Sequence, residues 1–377
     1  MTATAHTNNR VIYGRQIAFF AAFLLPAAKL LEAPSILSKY AAGDILLPAL
    51  AHFLLQSALL SLLLFAATSS EKTLWERLQT SLGKIFPILL IVYGVYFIFS
   101  SLLPLLDMEK FIYAAFFDTA PTFFSFLFFF FLSAFLCTKG IKLLGRYADL
   151  ALFLFVVPFL ALLVMSFAET DFSHLLPLFG SKFGDTMSAF TRTTPHFSDV
   201  VLLLPLLLNY KPQQKGDSRK ILFGYWIGAV LTLLFLAIFF SVFSSIAPRE
   251  HYAFSKIAQY FPALDIIGRI DLVFVYLVFI TLLFYTCTPL LYTVSFAATL
   301  LKTEKKVLFS LLLNFGLFLF VFFCNKYYNG IYEIVSAKLP WVFWIFANIL
   351  PLFLLLLPKD AAKTPPKASL LKEKENV

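Results

Sequence analysis

Ten apolar stretches constrain this chain more than any other feature, because a membrane-spanning helix needs about 20 apolar residues and hydrocarbon admits only helices and closed barrels. The chain is 60% hydrophobic and carries 48 Phe in 377 residues, more apolar surface than a soluble domain can bury. The sequence therefore predicts an all-α integral membrane protein with ten transmembrane helices. The stretches fall near residues 17–36, 45–67, 85–106, 121–138, 147–167, 188–208, 221–246, 271–300, 307–324 and 340–357.

The basic residues indicate how these helices are oriented. With ten spans, 20 of the 30 Lys and Arg residues fall on one side of the membrane, 7 on the other, and 3 in or beside spans. Because cytoplasmic flanks retain Lys and Arg, both termini are predicted to be cytoplasmic. The net charge of +9 follows from this topology and indicates no nucleic-acid partner. The Lys-, Glu- and Pro-rich tail, residues 359–377, is predicted to be disordered.

The first apolar stretch is broken in its middle. Pro26, Lys29, Glu32 and Pro34 interrupt it, and hydrocarbon tolerates a lost hydrogen bond or a charge only where the helix unwinds beside a protein-lined cavity. Lys29 and Glu32 are three residues apart, so they either neutralise each other on one helix face or contact a ligand or relay protons. The candidate ligand contacts at this break are Pro26, Ala27, Ala28, Lys29 and Glu32.

The sixth stretch is broken as well. Ten spans divide into two sets of five, and an odd number per set makes the second set enter the membrane from the opposite side. This permits an inverted repeat of residues 11–168 and 182–358. Transporters built in this way bind their substrate between two broken helices. Pro195 removes a donor and pushes the preceding residue out of the α region. Asp199 is a candidate ammonium binder or, with His196, a proton acceptor. Two half-helix dipoles facing one cavity would suit a zwitterion. The candidate contacts here are Thr193, Thr194, His196 and Asp199.

Further candidates lie in other spans. Tyr93 and Tyr96 in span three either line the cavity or simply pack. Arg146 and Asp149, at the inner end of span five, are predicted to form an ion pair at the inner surface or to contact the cytoplasmic end of the first span, with a gating or structural role. Arg269 and Asp271, at the outer end of span eight, are predicted to form a salt bridge at the rim or a gate.

Enzymatic chemistry has little support in the sequence. There is no phosphate loop, nucleophile elbow or HExxH motif. The scattered His and Cys residues predict neither a metal site nor a disulfide framework. No cofactor is expected.

Five segments carry a family resemblance: YGRQIAFF, LEAPSILSKYAAGD, LLGRYADLALFLFVVPF, LLPLFG and IGRIDLVFVYLVFITLLFYTCTPLLY. Their order and spacing resemble the B subunits of spore germinant receptors, a branch of the amino acid–polyamine–organocation permeases, over nearly the whole chain. The resemblance implies a LeuT-like 5+5 fold in a spore inner membrane, with A-type and C-type partner subunits. It also implies a small nutrient, often an amino acid, sensed between spans one, three, six and eight. His196 replaces a residue that is more often small or apolar in this family, and Lys29 is unusual for an amino-acid site.

Three function classes follow. The first is a sensor whose ligand shifts a conformational equilibrium read by partner subunits. The second is a secondary transporter of amino acids or amines, coupled to protons through Glu32, His196 or Asp199. The third is a channel or scaffold, which the lack of repeated polar rings disfavours.

Overall fold

The computed structural model describes residues 12–70, 72–116, 122–177, 179–212, 216–259, 271–303, 305–324, 327–353 and 355. Arg269 and the tail at 359–377 lie outside the described residues, as does the side chain of Asp271. The predicted role of the Arg269–Asp271 pair and the predicted disorder of the tail therefore stay predictions.

The described chain is a bundle of helices and contains no β-strand. In chain order the helices are α1 (Gly14–Ala28), α2 (Ala33–Asp44), α3 (Leu46–Thr68), α4 (Leu74–Leu82), α5 (Phe86–Phe116), α6 (Thr122–Lys139), α7 (141–166), α8 (Phe183–Thr193), α9 (Asp199–Leu208), α10 (Asp217–Phe243), α11 (Ala253–Gln259), α12 (Asp271–Leu300), α13 (Lys306–Cys324), α14 (Tyr328–Glu333) and α15 (Pro340–Phe353). Within the described ranges, six helices are long and apolar enough to cross a membrane, or seven if the bent pair α1 and α2 is one span. These findings confirm the predicted all-helical, multi-pass membrane protein.

Helices α1 and α2 are the two halves of one bent segment, with 65° between them. A π-helical turn at Phe20–Leu24 precedes Pro26, which accommodates a proline that has no N–H to donate. The helix then stops, and residues 29–32 are non-helical. Helix α2 restarts with Pro34 in its first turn, where a missing N–H leaves no bond unmade. The break falls at the residues that interrupt the apolar pattern.

The second break separates α8 from α9. Helix α8 ends at Thr193, a 3₁₀ turn spans Thr194–Phe197, and α9 begins at Asp199. Thr194 keeps α-region dihedral angles (φ −49°, ψ −42°), so the expectation that Pro195 moves it out of the α region is wrong. The backbone leaves that region at Ser198 (φ −81°, ψ 56°). The backbone N–H of Val200 at the start of α9 donates to Gln56 Oε1 at 2.9 Å, so a side chain of α3 satisfies one of the donors that a helix start leaves open. This contact fixes the start of α9 against α3.

A glycine pair lets α10 approach α1 closely. A Cβ at Gly224 would lie 2.5 Å from the carbonyl oxygen of Ala18. A Cβ at Gly228 would lie 2.7 Å from the carbonyl oxygen of Ala21 and 2.9 Å from Cγ of Pro26. Two glycines four residues apart form the small-residue stripe that allows membrane helices to pack backbone to backbone. Helix α10 therefore sets the position of α1 just before its break.

Candidate ligand-binding site

A buried ion pair joins the two breaks. Nζ of Lys29 lies 2.5 Å from Oδ1 of Asp199, and the two side chains are 1% and 2% exposed. The ammonium also donates to the carbonyl of Leu25 at 3.2 Å, and the hydroxyl of Tyr225 donates to the other carboxylate oxygen at 3.1 Å. A buried pair is stable only when further hydrogen bonds satisfy its remaining donors and acceptors, as they do here.

This ion pair lies at two helix ends of opposite polarity. Lys29 caps the C-terminal end of α1, and Asp199 is the first residue of α9. A cation stabilises a helix C-terminus and an anion stabilises a helix N-terminus. The chain thus supplies its own cation and anion at the two dipole ends for which a zwitterionic ligand was predicted.

Aromatic rings surround the buried ammonium. Nζ of Lys29 lies 5.9 Å from the ring centroid of Phe53 and 5.4 Å from that of Phe197, within the range of cation–π attraction. The imidazole of His52 stacks between Phe197, at 4.8 Å, and Phe190, at 3.9 Å. These rings exclude water from the ion pair and hold the second break against α3.

Glu32 pairs with a different element. Its Oε2 lies 3.0 Å from Nδ1 of His251, in the loop before α11. Glu32 is 3% exposed, whereas the side chain of His251 is 64% exposed. The hydrogen bond with Glu32 raises the pKa of His251 above its ordinary value because it stabilises the imidazolium. The structure therefore gives Lys29 and Glu32 separate partners instead of each other.

The backbone of the first break is also engaged. The carbonyls of Leu30 and Leu31 accept hydrogen bonds from the backbone N–H groups of Phe254 and Ala253, at 3.0 and 3.1 Å. Carbonyls freed by unwinding are where an ammonium could bind, but the first turn of α11 already uses these two. These two carbonyls therefore already have one donor each.

A cavity opens beside the ion pair, between the two breaks. Its empty space, including the opening to solvent, is about 720 Å³. We call it the central cavity. Its ionisable lining residues are Glu32, Asp107, His196, Tyr96 and Tyr285, and no Lys or Arg occurs in its described lining. Its other lining residues are Ala28, Leu31, Ser100, Leu103, Pro104, Pro195, Ser198, Val201, Leu202, Leu282, Pro289 and Phe343.

The structure brings some of the predicted ligand contacts to this cavity: Ala28, Glu32, Tyr96 and His196. Nε2 of His196 has no hydrogen-bond partner in the described part of the chain, so it is available to a ligand. Tyr96 stacks on Phe346 at 4.3 Å, which fixes the plane of its ring against α15.

Other predicted contacts lie elsewhere. The side chains of Thr193 and Thr194 donate to backbone carbonyls of α8. Pro26 and Ala27 are buried outside the cavity lining, and so are Lys29 and Asp199, which contact each other. Tyr93 lines a separate apolar crevice of about 360 Å³ with Leu78 of α4. These residues lie outside the described lining of the central cavity.

The start of α1 contacts residues of two other helical segments. Asp149 lies 3.3 Å from Arg15 of α1, while Arg146 is exposed. Of the two predicted arrangements, Asp149 therefore adopts the contact with the start of the first span and does not pair with Arg146. Ile12 pairs with Tyr210 through an isolated backbone bridge, which ties the chain before α1 to the end of α9.

Sequence reasoning missed several lining residues and contacts. His251 lies in a polar loop and carried no pattern that pointed to Glu32. Asp107 and Tyr285 do carry a usable signal, because an ionisable group inside an apolar stretch marks a cavity or an internal partner. Ser100 and Ser198 are small hydroxyl residues, which are common in membrane helices and gave no signal.

Comparison with known proteins identifies a family. No curated protein matches the chain. A family model described as "Spore germination protein", the spore permease family, matches residues 45–331. The match includes the second break, α10 and most of the central-cavity lining, and it starts after the first bent pair. Because it covers more than half of the sequence, the chain belongs to the spore germination permease family.

Proposed function

We propose that the chain is the permease-like, ligand-sensing subunit of a spore germinant receptor and binds a small amino acid or related amine in the central cavity. The observation that carries this proposal is the position of the cavity between the two breaks. Residues 28–32 border it on one side and residues 195–198 on the other. Membrane proteins with broken helices bind their substrates at such a position.

The lining supports a ligand with an ammonium group. Glu32 and Asp107 supply carboxylates, Tyr96 and Tyr285 supply hydroxyls, and the described lining has no competing Lys or Arg. The rest of the surface is mostly apolar, which suits a small side chain. His196 supplies a ring nitrogen for a donor on the ligand.

Lys29 and Asp199 act on the conformation in this proposal. Their pair ties the end of α1 to the start of α9, so a ligand that contacts both breaks changes the relative energy of arrangements in which these half-helices move. A sensor needs this differential binding but no net transport.

The proposed architecture is a LeuT-like 5+5 inverted repeat of ten spans, residues 11–168 and 182–358, followed by a cytoplasmic tail. The two broken spans are α1 with α2 and α8 with α9. Both termini face the cytoplasm, the membrane is the spore inner membrane, and the partners are A-type and C-type receptor subunits. Labelling of single cysteines from each side of a membrane vesicle tests the ten-span topology.

A ligand screen by thermal unfolding of the purified full chain tests the proposed function. A ligand at about 100 times its Kd stabilises the protein by about 2.7 kcal/mol, which is a measurable shift in Tm. Ser100→Leu adds bulk to the cavity wall and should abolish the shift. Ser61→Leu makes the same change on the exposed face of α3 and should leave it intact. An equal shift in both variants would contradict binding in the central cavity.

A proton-coupled transporter of amino acids or amines is the second candidate. The Glu32–His251 pair favours it, because this titratable contact is at the border of the cavity. Uptake into liposomes that dissipates an imposed proton gradient would favour transport. Binding without uptake would favour the sensor.

A further inference from the structure

A second cavity lies next to the central cavity and shares Glu32 with it. We call it the vestibule; its volume, including its opening to solvent, is about 880 Å³. It is lined by Glu32, Ser35, Ile36, Lys39, Tyr40, Arg192, Pro248, His251, Glu333 and Ala337. Since Glu32 faces both spaces and holds His251, the Glu32–His251 contact is the boundary between them.

Two cations of the vestibule converge on one ring. The guanidinium of Arg192 lies 4.7 Å from the ring centroid of Tyr40, and Nζ of Lys39 lies 5.7 Å from the same centroid. Arg192 is half-buried at the end of α8, and Lys39 is exposed on α2. Two positive charges near one ring repel each other, and a nearby anion reduces this repulsion.

Neither cation has a carboxylate within ion-pair distance among the described residues. The described ion pair that borders the vestibule is Glu32 with His251. Glu333 is exposed elsewhere on the vestibule wall. A guanidinium that is stacked on a ring keeps its edge donors free, and those donors match the two oxygens of a carboxylate.

We propose that the vestibule is a capture site for small carboxylates, with Arg192 as the principal contact and Lys39 as a supporting charge. The vestibule then offers Arg192 and Lys39 to a carboxylate, whereas the central cavity, whose described lining has no Lys or Arg, offers carboxylates to an ammonium. A zwitterion fits both in series across the Glu32–His251 contact. The vestibule site stands whether or not the central cavity binds a nutrient.

Charged thiol reagents test this site without a known ligand. Ala337→Cys places a thiol on the vestibule wall. The parent chain, without this substitution, is the control for reaction at its own cysteines, which are Cys137, Cys287 and Cys324. The probes are the anionic sulfonatoethyl and the cationic trimethylammonioethyl methanethiosulfonates, with each rate divided by that for free glutathione. The anionic probe should react faster, and Arg192→Gln should lower the anionic-to-cationic ratio about tenfold, because one nearby charge acts oppositely on the two probes.

Matched variants separate the site from general charge effects. Arg192→Lys keeps the charge and should retain most of the ratio. Lys256→Gln removes a positive charge that pairs with Glu250 and lies outside the vestibule lining, so it should change the ratio less than twofold. An unchanged ratio in Arg192→Gln, or an equal change in Lys256→Gln, would overturn the proposal.

Protection by small solutes distinguishes binding from mere attraction. Acetate should slow the modification of Ala337→Cys by the uncharged reagent methyl methanethiosulfonate, and Arg192→Gln should remove this protection. Ethylammonium at the same concentration and ionic strength should not protect. Absent protection by acetate, or equal protection by both ions, would overturn the assignment of a carboxylate site.

Discussion

Lys29 and Glu32 lie in the same break, yet their ion pairs differ in almost every physical respect. Lys29 pairs with Asp199 in a dry, aromatic environment, whereas Glu32 pairs with His251, most of whose side chain is exposed. The first pair ties two half-helices together, and the second separates two cavities. A buried pair is hard to break because either charge alone is costly, while a pair at a solvent boundary opens easily. One break thus carries both a fixed contact and a reversible one.

Exchanging the two charges should have the largest effect. Lys29→Glu with Glu32→Lys places a carboxylate opposite Asp199 and an ammonium opposite His251. Each pair then becomes a like-charge contact, so we expect more than about 5 kcal/mol of destabilisation and little folded protein. The yield of purified protein and its Tm measure this destabilisation. Recovery of native stability would show that the two residues neutralise each other.

Removing one buried charge should have the next largest effect. Asp199→Asn leaves the ammonium of Lys29 buried without its counter-ion and should reduce the free energy of unfolding by about 3–5 kcal/mol. Replacing both charges, with Lys29→Met and Asp199→Leu, should restore most of that loss because no uncompensated charge remains. Equilibrium unfolding in mixed micelles measures both. A double variant as unstable as Asp199→Asn would contradict the neutralisation of Lys29 by Asp199.

The packing that positions Lys29 should show a smaller effect. Gly228→Ala pushes a Cβ against Ala21 and Pro26, and overpacking of this kind costs about 1–3 kcal/mol. Gly94→Ala in α5 is the matched control, because no described atom lies within 4 Å of its Cβ. The measurement is the same unfolding equilibrium. Equal stability of the two variants would show that α1 and α10 do not need their close approach.

The pair at the cavity boundary should show the smallest effect and a dependence on pH. The folded pKa of His251 is raised by Glu32, so its contribution is full below the ordinary value of about 6.5 and is lost as pH rises through the raised value. The Tm difference between the parent and His251→Gln should therefore shrink between about pH 5.5 and pH 9. Lys256→Gln should give a difference that stays constant over this range. A His251→Gln difference that grows with pH would contradict the assigned contact.

The two helix breaks could be predicted from the prolines in the sequence. The ion-pair partners of the residues in the breaks could not, because they depend on how distant segments pack. Pro26 and Pro195 interrupt apolar stretches, and proline acts on its own helix. The spacing of Lys29 and Glu32 suggested a pair, but three-residue spacing brings side chains together only in a helix, and residues 29–32 are not helical. Asp199 lies 170 residues from Lys29, and no local pattern encodes that contact.

Helix geometry also separates candidates that looked alike in sequence. Tyr93 and Tyr96 are one turn apart on α5, yet Tyr96 reaches the central cavity and Tyr93 reaches the apolar crevice. Asp149 had a helical neighbour, Arg146, at the correct spacing, but it contacts Arg15 of another helix instead. In both cases the neighbouring helices, which single-sequence periodicity cannot place, decide the outcome.

The most direct test of the account is the ligand-induced rise in Tm in two variants, because the account holds that the ligand binds beside the Lys29–Asp199 pair and not on it. The double variant Lys29→Met with Asp199→Leu should keep a rise in Tm with the ligand found by the screen. Ser100→Leu, which fills the central cavity, should lose it. A rise that persists in Ser100→Leu and vanishes in the double variant would place the ligand on the ion pair and contradict the account.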